Sequence, residues 1–214
     1  MGKKKTKARK KEVYGQLLDL RQSIAEDVDE IDDDFTAGQS GNTMMKKFRF
    51  QLLHEWLIAE VAPCRAVDIG GGKGLLTYLL NKSGWDVTVV DPAYQELPTK
   101  YKDFQSKKRV IIAADEKVPR VSRNFEPAMA SEVDLLIGLH AHGCNVQVID
   151  ACTKYNTGFV LLPCCVIEEP FYPRRGATWV GSLTDYALRE GFDVRPFQLG
   201  FRGQNIGIYA PPKS

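Results

Sequence analysis

Apolar residues recur along this chain in two rhythms. Between Val13 and Ile31 they fall at Val13, Leu17, Leu20, Ile24, Val28 and Ile31, a three-to-four spacing that predicts an amphipathic helix. A second helix is predicted over 44–61, with Met45, Phe48, Leu52, Leu53, Trp56 and Leu57 on its apolar side. Thr43 is placed to cap it and Pro63 to end it. From Cys64 onward the rhythm changes: short β-favouring runs alternate with helical stretches. Strands are predicted at 65–69, 86–91, 109–113, 133–138, 159–162, 192–199 and 205–209, and helices at 73–82, 145–155 and 178–190. That alternation predicts an α/β fold built on a doubly wound parallel sheet. The last two strands, joined by Gly200-Phe201-Arg202-Gly203, read as an antiparallel hairpin closing its edge.

The densest chemistry follows the first of these strands. Val67-Asp68-Ile69 runs into Gly70-Gly71-Gly72-Lys73-Gly74, and an apolar helix starts at Leu75. Glycines at such a turn adopt positive φ and keep side chains out from between backbone and ligand. A strand, a bare turn and a helix N-terminus together form a pocket of N–H donors. The next strand ends in Asp91, about 20 residues past the glycines, where an acidic residue commonly grips a ribose diol. A nicotinamide or flavin fingerprint would need glycine at Leu75, so the G-x-G-x-G spacing counts against it.

This pairing of glycine loop and Asp91 resembles motifs I and II of the class I S-adenosylmethionine-dependent methyltransferases. The resemblance implies a Rossmann-like seven-stranded sheet with an N-terminal helical extension, and S-adenosylmethionine as cofactor. It implies that Gly70, Gly71, Gly72 and Gly74 carry the methionine portion, that Asp91 takes the ribose, and that Pro92 lies near the adenine. Asp68 either touches the cofactor through the loop amides or pins the turn. Ala114-Asp115 resembles the motif III position at which an acid accepts from the adenine amino group; helix N-capping is the competing reading of Asp115.

Two further segments narrow the resemblance. Gly138-Leu139-His140-Ala141-His142-Gly143-Cys144 ends the fourth strand, and Pro163-Cys164-Cys165 follows the fifth. Over about residues 43–210 these are similar to the methyltransferase-32 branch, and more distantly to the acceptor-stem tRNA 2′-O-methyltransferases. Two departures are visible: His142 stands where that branch carries a cysteine, and the zinc fingers of the tRNA enzymes are absent. Gly138 and Leu139 are expected at the cofactor, and His140 either takes a proton from the acceptor or binds backbone carbonyls. A metal site from His140, His142, Cys144, Cys164 and Cys165 is conceivable, since adjacent strand ends converge, but Cys164 and Cys165 are neighbours without the two-residue gap of zinc knuckles, so no metal is expected. No N/D-P-P-Y segment is present, which favours an oxygen, carbon or other nitrogen acceptor over adenine N6.

Composition adds constraints on partners. The chain has 214 residues, a net charge of +2 and 43% hydrophobic residues, ordinary for one globular domain with a small extension. The charge is uneven. Lys3, Lys4, Lys5, Lys7, Arg9, Lys10 and Lys11 crowd the start, and residues 1–12 are expected to form a disordered basic arm, a nucleic-acid contact or a solubilising tail. Residues 13–42 make a helix and linker, and 43–214 the catalytic domain. Lys46, Lys47 and Arg49 offer phosphate contacts or a solvated helix face. Phe171-Tyr172-Pro173-Arg174-Arg175 mixes stacking groups with two arginines, as an RNA-binding lip would; a proline-turn loop with incidental charge is the alternative. Five cysteines without scaffold spacing place the chain in a reducing compartment, cytoplasmic with nuclear or nucleolar sites as alternatives. No run reaches membrane-spanning length. Met1-Gly2 begins a loose myristoylation pattern that matches often by accident. The reading is an RNA methyltransferase. Its rivals are a small-molecule or protein methyltransferase and a non-catalytic scaffold, and oligomeric state is not legible.

Overall fold

The computed structural model describes residues 8–20, 48–201 and 203–213. The elements are α1 (residues 8–20), α2 (Arg49–Glu60), β1 (Arg65–Ile69), α3 (Leu75–Lys82), β2 (Asp86–Val90), β3 (Lys100–Lys102), β4 (Arg109–Ile111) and β5 (Arg120–Val121). A 3-10 turn (Pro127–Glu132) leads to β6 (Leu135–Leu139), α4 (Asn145–Tyr155), β7 (Gly158–Leu162), α5 (Trp179–Arg189), β8 (Arg195–Gln198) and β9 (Ile206–Ala210). Among the described residues seven strands share one sheet in the order β5-β2-β1-β6-β7-β9-β8. Strands β5 to β7 run parallel, while β9 is antiparallel to both of its neighbours. That order, with its reversed penultimate strand, is the Rossmann-like class I methyltransferase sheet, and β8–β9 is the closing hairpin the sequence predicts.

Strand β1 occupies the centre because every residue after Arg65 is buried, and β6 and β7 are buried throughout. Alternation of side chains then builds two cores. Ala66, Leu135, Ile137, Val160 and Leu162 meet Leu53 and Leu57 of α2 and Leu76 and Leu80 of α3. Val67, Leu136, Phe159 and Leu161 meet Val148 and Ile149 of α4 and Leu183 and Ala187 of α5. The sheet therefore lies between two helical layers, the arrangement a largely parallel sheet requires. One buried amide fixes α2 to its surroundings: Gln51 Nε2 donates to the Lys102 carbonyl at 2.8 Å, and Gln51 Oε1 accepts from Phe104 N at 2.6 Å.

Two expectations need correction. The run 109–113 does form extended structure, but β4 pairs only with β3 in a separate two-stranded ribbon. The third strand of the sheet is the short β5, paired with β2 through Val89↔Arg120 and Val90↔Val121. At the other end of the chain, helix α1 takes in residues 8–12, which the charge run had assigned to a disordered arm. Val13 and Leu17 are buried, Lys10 pairs with Asp185 at 2.6 Å, and Arg9 pairs with Asp193. The basic residues 3–7, the capping Thr43, and Lys46 and Lys47 lie outside the described residues, as does the predicted helix beyond residue 20.

Candidate functional site

The loop after β1 is closed from three sides. Gly70, Gly72 and Gly74 take φ of 66°, 53° and 77°, left-handed values that a side chain rarely adopts. Gly70 N donates to the Val90 carbonyl at 2.8 Å, and Gly74 N to the Gly71 carbonyl at 2.8 Å. Asp91, at the end of β2, accepts from Gly72 N through Oδ2 (2.8 Å) and from Ala93 N through Oδ1 (2.9 Å). A carboxylate offers about four acceptor positions, so Asp91 keeps capacity for a further donor.

Beneath the loop Asp68 is fully enclosed and receives Thr77 Oγ1 at 2.9 Å. Burial pushes its carboxyl up to about 7, while the Thr77 hydrogen bond and Arg120 pull the other way. Of the two readings open for Asp68, the contacts are those of the one that pins the turn. Arg120, on β5, was not singled out from sequence. Its Nη2 donates to the Gly72 carbonyl at 2.7 Å, so β5 grips the loop from the flank. The signal was faint: one arginine after Val118-Pro119, in a strand of two residues.

A cleft of about 450 Å³ opens where the carboxyl ends of β1, β2, β5 and β6 meet. Gly70, Pro92, Asn124, Phe125, Ala141, His142, Gly143, Cys144, Gln147 and Glu168 line it, with Ile69 and Val90 at its base. It sits at the crevice where an open α/β sheet binds ligands. Its size falls within the range of small-molecule pockets.

The sequence-predicted residues divide accordingly. Gly70 and Pro92 line the cleft, whereas Gly71, Gly72, Gly74, Asp68 and Asp91 are not among its lining residues; Asp91 acts on the loop through Gly72 N. Gly138 abuts Leu161, and Leu139 packs in the core with Leu135 and Ile137, so β6 contributes its following residues, Ala141 and His142. Asp115 is exposed, between Ala114 and Glu116, which line a separate cavity of about 360 Å³ together with Gln95, Val118 and Arg120. It precedes β5 and acts electrostatically on Lys82, the last residue of α3, whose ammonium pairs with Glu116. Lys82 lies about 12 Å down the helix from Gly74, at 1.5 Å per residue. The residues that follow the true third strand are Asn124 and Phe125, and both line the cleft.

His140 has φ of +58°, and its ring turns to the β8–β9 connection, where Nε2 contacts the Gln204 carbonyl at 3.0 Å. A carbonyl only accepts, so Nε2 donates in this contact. Glu169 has a structural role. It is buried, and its carboxylate receives Asn145 N (2.9 Å), Asn145 Nδ2 (2.6 Å) and Val146 N (3.1 Å) at the start of α4. Phe171 packs on Trp179 and Tyr186 with centroids 5.4 and 5.7 Å away, anchoring its loop. Tyr172, Arg174 and Arg175 stay exposed. A second cavity, about 520 Å³, lies between that loop and α1, lined by Lys10, Tyr14, Tyr172, Arg174 and Arg189 among others.

No protein-family profile matches the chain. It is 34% identical over 147 residues to a probable tRNA (uracil-O(2)-)-methyltransferase of Caenorhabditis elegans, covering 62% of this chain and 25% of the relative. The Caenorhabditis briggsae protein of the same description is 34% identical over 103 residues, covering 48% of this chain and 17% of its own length. The chain thus spans a quarter or less of the curated relatives it matches. Among solved structures, a magnesium protoporphyrin IX methyltransferase from Synechocystis PCC 6803 with bound SAM aligns over 86% of this chain and 87% of its own, with a TM-score of 0.48 and 14% identity. A ribosomal protein L11 methylase from Lactobacillus delbrueckii subsp. bulgaricus aligns over 86% and 84%, with a TM-score of 0.43 and 13% identity.

Proposed function

We propose that this chain is an S-adenosylmethionine-dependent methyltransferase acting on RNA, with tRNA the favoured class and the methyltransferase-32 branch its nearest family. The observation that carries this reading is the Asp91–Gly72 closure. A carboxylate holds a glycine loop against a cleft of nucleoside size at the switch point of the sheet. The residues fit the cofactor. Bare glycine backbone accommodates its methionine portion, Asp91 has acceptor positions left for ribose hydroxyls, and Asn124 offers an amide to an adenine edge in the role first assigned to Asp115. The cofactor supplies an activated methyl on a sulfonium.

The protein's own contribution is positioning and proton handling. His140, at the end of β6 and next to the cleft residues Ala141 and His142, is assigned the acceptor's proton. Arg174, Arg175 and Tyr172 serve as the exposed RNA lip, with Phe171 as its anchor. The relatives named for tRNA support this substrate class. The ion pairs of Arg9 and Lys10 move weight from the N-terminal arm to this lip. We place the protein in the cytoplasm or nucleus, on its odd count of cysteines.

Incubation with radiolabelled S-adenosylmethionine and separate RNA, protein and metabolite pools tests the reading. Label is expected in the RNA pool and is lost in Asp91→Ala. Label confined to protein or metabolites overturns the substrate class. No label in any pool, with no S-adenosylhomocysteine binding by calorimetry, overturns the enzyme.

A further inference from the structure

Three potential metal ligands meet beside the cleft although they come from two loops. His142 follows β6; Cys164 and Cys165 follow β7. Cys165 Sγ lies 2.9 Å from His142 Nδ1, Cys164 Sγ lies 3.7 Å from His142 Nε2, and the two sulfurs are 3.8 Å apart. One ligand atom from each residue falls within 4.8 Å of the other two.

The sulfur–sulfur separation is that of a coordination shell: zinc–sulfur bonds of about 2.3 Å at tetrahedral angles set sulfurs roughly 3.8 Å apart. A zinc-bound nitrogen stands roughly 3.5 Å from each sulfur, so the ring, 2.9 Å from one sulfur and 3.7 Å from the other through different nitrogens, turns to present a single one. Adjacent cysteines inside a strand would point to opposite faces. Here the strand ends at Leu162 and Pro163 follows, so both thiols turn to the same histidine. His142 is exposed and the cysteines are half-buried, which leaves access from solvent and lets the ring present one nitrogen to both sulfurs. Cys144 is not one of the three. It stands at the N-cap position of α4, without a side-chain capping bond, outside the cluster.

We propose that His142, Cys164 and Cys165 bind one thiophilic divalent cation, Zn²⁺ or a close analogue, at the edge of the cleft. Three protein ligands leave a fourth coordination position open, the count found in catalytic zinc sites rather than closed structural ones. Binding deprotonates the two thiols and releases their protons to solvent. His142, which lines the cleft, is then a ligand, and proton acceptance stays with His140.

The proposal stands apart from the methyltransferase reading, because binding is measured on the full chain without cofactor or RNA. The chain is stripped with chelator under reducing conditions, then titrated with Zn²⁺ against a chromophoric chelator. A parallel titration with Co²⁺ reads thiolate-to-cobalt charge transfer. One ion per chain with submicromolar affinity is expected. Cys165→Ser, Cys164→Ser and His142→Ala should each weaken affinity at least ~100-fold, beyond the loss seen for mere supporting groups. Cys144→Ser should bind as the parent does, and circular dichroism checks that each variant is folded. The proposal is overturned if no charge-transfer band forms, if the three variants bind like the parent, or if Cys144→Ser loses the ion equally. It is also overturned if intact mass shows the stripped chain closing a Cys164–Cys165 disulfide that Zn²⁺ does not prevent.

Discussion

The guanidinium of Arg120 donates to the carbonyl oxygen of Gly72 across 2.7 Å, joining the third strand of the sheet to the middle of the glycine loop. Gly72 is held at both ends of its peptide unit, its N–H by Asp91 and its carbonyl by Arg120. Arg120→Met removes one clamp and keeps the aliphatic stem. A charged hydrogen bond contributes about 1.5–3 kcal/mol, so S-adenosylhomocysteine affinity should fall by roughly tenfold or more in calorimetry. Unchanged affinity would show that Asp91 suffices.

Gly74 and Gly72 should respond differently to alanine. Both sit at positive φ, which costs an L residue about 1–2 kcal/mol. A Cβ on Gly72 meets nothing nearer than Gln95 at 3.7 Å, whereas one on Gly74 falls 2.8 Å from Val118 and 3.2 Å from Val89. Thermal unfolding should therefore rank Gly74→Ala below Gly72→Ala. The reverse order would contradict the packing described for this loop.

The buried carboxyl of Asp68 makes stability depend on pH. Its ordinary value is 3.8 and its folded value about 7, so the native state binds the proton more tightly than the unfolded chain. Stability contributed by this group falls as pH rises from about 4 to about 7, and above that the cost of a buried anion is complete. That cost is roughly a few kcal/mol. Asp68→Asn should flatten the curve and gain most, relative to the parent, above pH 7. Urea midpoints measured from pH 4 to 8 give the difference, and parallel curves for the two proteins would refute the assignment.

Removing the carboxylate of Glu169 leaves three donors at the start of α4 without their acceptor. Glu169→Ala should cost about 2–4 kcal/mol from the lost charged hydrogen bonds and helix-end field. At about 2–4 °C per kcal/mol for a domain of this size, the melting temperature should drop by roughly 5–15 °C. Glu169→Gln, which keeps one acceptor, should fall between.

The sheet was legible in the sequence because its central strands are buried on both faces. Continuous apolar runs such as Leu135 to Leu139 and Phe159 to Leu162 permit little else. The glycine loop and Asp91 were legible because their chemistry is local. The third strand was not. Arg109–Ile111 has stronger β character than Arg120–Val121, and only tertiary pairing with β2 decides which joins the sheet. The cleft position of Asn124, three residues past β5, was hidden with it. That His142, Cys164 and Cys165 follow adjacent strand ends was legible; that these three meet, rather than a wider set with His140 and Cys144, was not, because spacing along one segment does not fix which side chains of two loops converge. Similarly, charge alone marked residues 8–12 as an arm, while the aspartates that fold them into a helix lie at positions 185 and 193.

The side-chain amide of Gln51 occupies both the donor and the acceptor offered by the β3–β4 hairpin. Withdrawing α2 from that hairpin would break both bonds at once, at the Lys102 carbonyl and the Phe104 N–H. Helix and hairpin are thus mechanically one piece, and any swing of α2 would drag the hairpin along. A probe on the exposed tip near Lys107 would then report movement of a helix whose own surface is largely hidden.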